Sequence, residues 1–492
     1  MIASGRSPIT RRPAGPSTER TLFGFLRADS YPPRLAFKRG SLYDYYMRSG
    51  AIIMSAIMRS IAVAAIIYAI FLALSWVSLG GDPRQATAAV VMAFKNGDLT
   101  EADILDMDTR IGAHQFNDCL ILDQAIARSG TRAQMTVTPP NDLTDRIKGV
   151  CQELKQSVTE GRHGQVNFYQ NYIHGHTALA RLLLEVLPIR AIRALYELII
   201  AALLVAGLTL AMRQALRGGA TVNVIFWICF FLAFTRFFGF EYFGQSLGHG
   251  PADAVLLGYA LWLETTSFGA QSRPVDFVVP VAIFGALTAI FELLTGGLPL
   301  GIALTVAGVA MAERRDDRLK SSVALACTAF ITSIATMVVI KVALTEILFG
   351  RGAVMSVGGQ LVARLAGSAQ FDQIPPPTIA NIVIRVERGL GEMMGGQPGL
   401  VLMILLLTIA FGAVGLARLR SSDLRDRAML VAASNLVLVG WVAVFNHHFY
   451  VHAWFMTRIF AWTIATGFAL FAIAVAARQP LARADQASMR AE

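Results

Sequence analysis

About ten long apolar tracts, most near 20 residues and separated by short polar turns, constrain this chain more than any other feature. A run of that length crosses the hydrocarbon core as a helix, because lipid offers no partner to an unpaired backbone N–H or C=O. The tracts are Ile52–Leu79, Leu195–Met212, Val222–Gly239, Ala252–Phe268, Phe277–Thr295, Leu298–Ala312, Ser321–Leu348, Leu400–Ala417, Met429–Phe445 and Met456–Ala477. The expected fold is an all-α polytopic membrane protein of about ten transmembrane helices. Only 15% of the residues are charged, against about 25% in soluble domains, which excludes a soluble enzyme, a disordered chain and a disulfide scaffold.

Charge placement orients the spans. The net charge is +10. Arg6, Arg11, Arg12, Arg20, Arg27, Arg34, Lys38, Arg39 and Arg48 crowd a basic N-terminal segment, residues 1–50. Further Lys/Arg fall in alternate short turns: Arg213 and Arg217, Arg273, Arg314 to Lys320, Arg418 to Arg427, and Arg478 onward. The turns Glu241–Pro251, Gly296-Gly297 and Asn446–Val451 carry none. This positive-inside bias places both termini in the cytoplasm of a multi-pass inner-membrane protein. It also explains the basic balance through anionic lipid rather than nucleic acid.

The organisation that follows is a first span at 51–79, a mainly helical extracytoplasmic domain at 80–190, and nine helices within 191–477. An outer loop lies at 350–399, and the tail 478–492 is cytoplasmic. Helix-like stretches at Ala86–Phe94 and Leu143–Val158 flank Thr138-Pro139-Pro140. An amphipathic helix through Leu179, Leu182, Leu183, Val186 and Leu187 would lie along the interface before the second span. Cys119 and Cys151 share the outer domain, where they form either a disulfide or two buried thiols. Cys229 and Cys327 lie in spans and pack.

All eight histidines, His114, His163, His174, His176, His249, His447, His448 and His452, map to the outer side under this topology. Two clusters stand out. One is Asn171-Tyr172-Ile173-His174-Gly175-His176 with Arg181 downstream; the other is Asn446-His447-His448-Phe449-Tyr450-Val451-His452 followed by Arg458. His448 and His452 share a helix face. Each cluster alone also reads as an amphipathic interface anchor, a reading weakened by both being rich in His and Asn and both adjoining an Arg. As ligands they suit phosphate contact, a loosely held divalent cation (Mg or Mn) or, lacking an HExxH, less readily zinc.

Asp118 enters an apolar run and is the candidate general base. The alternative is a helix cap, with Asp82 a second base candidate or a plain helix stop. Arg236 and Glu241 flank Phe237-Phe238-Gly239-Phe240, while Glu292, Lys341 and Glu346 lie at the same depth. A Glu292–Lys341 pair would read as helix glue.

A first span, a large outer loop with an acidic residue and an interface helix, then eight or more spans, resembles the multi-pass GT-C-fold glycosyltransferases. The segments Tyr172 to Leu184 and Asn446 to Arg458 are also similar to stretches of uncharacterised bacterial multi-pass proteins. The GT-C resemblance implies sugar transfer from a polyprenyl-phosphate donor to a glycan or lipid acceptor at the outer membrane face, in cell-envelope assembly. The tail would lie along Phe237 and Phe238. Arg458, Arg181 and the histidines would hold the phosphate, and Asp118 would deprotonate the acceptor. Unlike the GT-C pattern, no paired carboxylates follow the first span: Asp82 has the position and Asp118 the setting. The rival readings are a transporter or export component, for which Glu264 and Asn435 are the polar candidates in the inner half, and a polysaccharide polymerase or ligase.

Overall fold

A computed structural model describes residues 39–103, 115–142, 149–161, 164–218, 221–269, 276–292, 296–366, 378–393 and 396–477. The basic segment 1–38, Asp106 to Arg110, His114, His163, Arg273, Pro375 to Pro377 and the tail from Arg478 lie outside them. The chain divides at Gly50 into two units; of the first, only residues 39–50 are described, and they are helical. All that follows concerns residues from Ala51 on.

Six helices are long and apolar enough to cross a membrane: Gly50–Ser78, Ile189–Leu216, Asp316–Phe349, Pro398–Arg418, Ser422–Val444 and Ala453–Ala476. Shorter apolar helices at Thr221–Phe237, Val278–Phe291 and Gly297–Ala312 pack among them, together with His249–Phe268. The chain is thus an all-α membrane protein. Ile66, Leu198, Val339, Leu406 and Leu436 are each more than half exposed, as lipid-facing positions should be. Inside, Trp227, Phe230, Phe231, Phe234 and Phe238 run as a fully buried aromatic column along one helix. Where Pro398–Arg418 meets Ala461–Ala476 the backbones touch: a Cβ on Gly467 would sit 2.3 Å from the Thr408 carbonyl oxygen. Small residues at such a crossing replace the hydrophobic drive that lipid cannot supply.

The polar segment after the first span is itself mainly helical, with helices Pro83–Asn96, Gln115–Ile126, Arg132–Val137, Val150–Glu160 and Gly175–Leu184. Its one described strand pair is short, Pro140–Asn141 against Asn167–Phe168. Asp82 caps the first helix, accepting from the Arg84 N–H, which is the helix-boundary reading of that residue. The Asp103 carboxylate accepts from the amides of Val150 and Cys151 at 3.0 and 2.8 Å and so caps the helix after the Pro-rich stretch. Cys119 and Cys151 are disulfide-bonded, Cα to Cα 5.1 Å, across a sequence separation of 32. A loop of that size constrains the unfolded chain by about 3–4 kcal/mol. Cys119→Ala/Cys151→Ala should therefore lose about that much, read as a lower thermal midpoint that reductant no longer shifts. A midpoint equal to the wild type's would show that the bridge adds nothing.

The helix Gly175–Leu184 does not rest on lipid alone. Its Thr177, Ala180, Arg181 and Leu184 face inward against the domain, while Leu179, Leu182 and Leu183 stay half-buried. Three side chains help fasten the domain to the bundle's end. Lys341 Nζ donates to the Val137 carbonyl and to Thr138 Oγ1 at 2.6 and 2.5 Å, Gln134 reaches the Leu348 carbonyl, and Arg132 reaches that of Trp76. A Glu292–Lys341 pair, one of the readings open to these two charges, is not among the ion pairs of the described residues; the lysine is taken up by the domain.

Candidate functional site

Five segments meet at the domain end of the bundle: the start of His249–Phe268, the end of Val278–Phe291, the turn Thr457–Phe460, Phe238–Phe243, and the helix Gln115–Ile126 above them. Arg458 stands at their centre, buried, at the point where the chain turns into the helix Ala461–Ala476. Its guanidinium donates to Asp253 Oδ2 at 3.1 Å, to Glu292 Oε1 at 2.9 Å and to His249 Nδ1 at 3.3 Å. Its planar face lies 4.5 Å from the Phe238 ring centre and 5.4 Å from that of Phe243. A buried guanidinium needs both kinds of partner: carboxylates that neutralise it and ring faces that tolerate its charge.

His249 links this cluster to the domain. Nδ1 faces Arg458, which can only donate, so Nδ1 holds the lone pair and Nε2 the hydrogen. Nε2 is 3.0 Å from the Asn117 side-chain amide. That tautomer requires the amide oxygen of Asn117, not its nitrogen, to face the ring. The second Glu292 oxygen is 3.7 Å from Nδ1. One arginine is thus surrounded by two carboxylates.

Beside these groups lies a narrow, mostly apolar cavity with about 20 Å³ of free space, room for roughly one water. Asp253, Glu292 and Arg458 supply its charged wall, and Phe238, Leu256, Phe284 and Leu300 continue it between the spans. The Nε–H of Arg458 is buried and has no hydrogen-bond partner among the described residues.

The two histidine clusters reach this centre from opposite sides without lining the cavity. His176 lies within electrostatic reach of His249 and Glu292, and Gly175 is pressed against the helix that ends at Glu292: a Cβ there would come 2.2 Å from Ile290. On the other side, Phe455 is 5.4 Å from the His249 ring and 5.2 Å from that of His452, whose own neighbour His448 is 4.7 Å away. Arg385 of the helix Ile379–Glu392 covers Tyr450 and donates to the Val451 carbonyl. His447 is buried on the same short helix, Asn446–Val451.

Both members of the first cluster are neutral. Burial, with Lys341 and His176 nearby, holds the His174 imidazole well below its ordinary range. Burial and then His249 bring His176 down to about 4. His174 Nε2 donates to the Tyr169 carbonyl at 2.7 Å, leaving only its Nδ1 lone pair free. Such groups accept hydrogen bonds; they do not attract a phosphate as cations. Among the described residues no three His, Cys, Asp or Glu side chains group as a metal site would need.

Other candidates are placed elsewhere. Asp118 is fully buried in a tether. Its Oδ2 accepts from Arg193 Nε and Nη2 at 2.9 and 2.6 Å, and its Oδ1 accepts from the Leu247 amide at 2.7 Å. It therefore neither caps its helix nor lines the cavity. Arg181 donates to the Gln124 carbonyl inside the domain, where burial and then Arg128 lower it to about 9. Arg236 and Glu241 are exposed and apart from the cluster. Among the described residues of the domain, Asp123 is a strongly raised acid, which burial pushes up to about 8.

Asp253 and Arg193 escaped the sequence reading. Asp253 lies four residues after His249, one helical turn on the same face. That spacing, with a carboxylate inside an apolar tract, was the available signal. Compared with protein-family models, curated proteins and solved structures, the chain finds no match in any of the three.

Proposed function

We propose that this chain is a membrane glycosyltransferase that takes a sugar from a polyprenyl-phosphate donor at the outer face of the cytoplasmic membrane. The observation that carries the reading is a buried Arg–Asp–Glu–His cluster forming the charged wall of a cavity whose remaining walls are apolar spans. A lipid-linked phosphate needs that combination, a guanidinium for the head and an apolar cleft for the tail, and because the cavity has room for roughly one water it takes them only when the spans around it part. Arg458 binds the phosphate, starting with its unpartnered Nε–H, and Asp253 positions it. Glu292, in the charged wall of the cavity, takes the proton from the acceptor hydroxyl as that oxygen bonds to the anomeric carbon. The carbon–oxygen bond to the phosphate breaks, and the lipid phosphate leaves with the electron pair. The base role thus moves from Asp118 to Glu292.

Deleting the gene should leave a polyprenyl-linked sugar in excess in lipid extracts. Restoring Glu292→Gln should not clear it although the protein inserts, since a lost general base costs about 10²–10⁴-fold in rate. An unchanged lipid-linked sugar profile in the deletion overturns the function; a fully active glutamine variant overturns the base.

The same reading requires ten spans, with residues 80–190 outside and both termini in the cytoplasm. It rests on the Lys/Arg bias of the turns and on the six long, three short and one mixed helices. Reporter fusions at Gly164 and after Glu492 should give opposite compartment signals, and matching signals would refute it.

A further inference from the structure

Glu264 lies on the same helix as Asp253, eleven residues on, which returns it to the same face about 16 Å further along. Leu257 and Ala260, fully buried, separate the two on that face. Glu264 has no exposed surface, and neither of its oxygens has a hydrogen-bond partner among the described residues. The helix packs against four others: Ile189–Leu216, Thr221–Phe237, Val278–Phe291 and Gly297–Ala312. The last two carry no titratable residue within their bounds; Glu292 ends the one beside Arg458, and Glu313 ends the other, its carboxylate accepting from the Arg315 amide and from Ser322. Thr221–Phe237 carries only Cys229 and Arg236. Ile189–Leu216 holds Arg190, Arg193, Tyr196 and Glu197 near one end and Arg213 near the other. On its own helix the titratable groups are His249, Asp253 and Tyr259. None of these forms an ion pair with Glu264 among the described residues. An ionised carboxylate in that setting would have neither counter-charge nor donor, so the group must carry a proton.

Glu264 lies close to the end of its helix that points away from Arg458. The helix ends at Phe268, about 6 Å beyond Glu264. Polar groups gather there: Trp227 donates to Ser267 Oγ at 3.2 Å, and Arg314 donates to the Ser267 carbonyl at 3.0 Å.

We infer that Glu264 is a proton-binding site, its carboxyl protonated at neutral pH and exchanging that proton through the end of the bundle marked by Ser267 and Arg314. This assignment is independent of the transferase reading. It gives the inner half of the protein a proton-handling group of its own, sealed by Leu257 and Ala260 from the charged cluster.

Infrared difference spectra of the full chain in lipid, wild type against Glu264→Gln, provide the test. At neutral pH the wild type should show a carboxylic-acid C=O band that the variant lacks and that shifts in heavy water. Loss of carboxylate intensity instead, or an acid band that heavy water leaves unmoved, overturns the assignment. Should the variant fail to insert, the wild type alone suffices, with dicyclohexylcarbodiimide as the probe. The acid O–H adds across a C=N bond, oxygen to carbon and proton to nitrogen, and the adduct rearranges to a stable N-acylurea with nothing oxidised or reduced. Peptide mass spectrometry should find that adduct on Glu264, forming more slowly as pH rises. Its absence at acid pH overturns the site.

Discussion

Arg458→Ala should destabilise the protein by about 3–5 kcal/mol, the scale for removing one partner of a buried ion cluster. The loss would come less from the missing contacts than from what remains. Asp253 and Glu292 would face each other in an apolar wall with no guanidinium between them, and His249 would lose the donor that fixes its tautomer. The cause can be isolated by adding Asp253→Asn and Glu292→Gln to the alanine variant. Neutralising the stranded carboxylates should recover much of the lost stability, measured as the midpoint of unfolding in detergent. Arg458→Lys should fall between, because an ammonium cannot serve both carboxylates and the imidazole in one plane. A triple variant no more stable than Arg458→Ala would show that charge balance does not hold this corner together.

The helices were legible because lipid leaves a backbone little choice: each apolar tract became a helix, and Asp82-Pro83 ends the first where a cap and a helix-starting proline belong. The domain's helical character and the cysteines' shared location were also readable from composition and position. What sequence could not supply was the partner of each buried charge. Hydropathy puts Lys341 and Glu292 at one expected depth, yet one reaches Thr138 and the other Arg458, a choice set by helix rotation and by where the domain docks. Depth is written in hydropathy; azimuth is not. His249 and Arg458 were both marked in the sequence, more than 200 residues apart, and only packing brings them within 3.3 Å. Asp253 was passed over because its neighbours are apolar, although that is the setting in which a carboxylate needs an arginine.

The same lesson sharpens the question of Asp118. Its sequence context, a carboxylate entering an apolar run, fits both a general base and a structural tether, and the two roles separate experimentally. As a tether, Asp118 and Arg193 form a buried pair, with Arg193 also donating to the Asp98 carbonyl at 2.6 Å and Leu247 completing the acceptor set. These bonds join three pieces, the domain helix Gln115–Ile126, the start of Ile189–Leu216 and the segment before His249. Breaking them should loosen the domain and shift Asn117 away from the imidazole it orients. Arg193→Ala and Asp118→Asn should then each lose about 3–5 kcal/mol. The double variant Arg193→Met/Asp118→Leu should lose less than the two single changes together, because no unpaired charge is left behind. Hydrogen exchange would rise in the domain before it rises in the spans. A catalytic base behaves otherwise: Asp118→Asn would end turnover at wild-type stability, with exchange in the domain unchanged. That combination would return the base to Asp118 and remove it from Glu292.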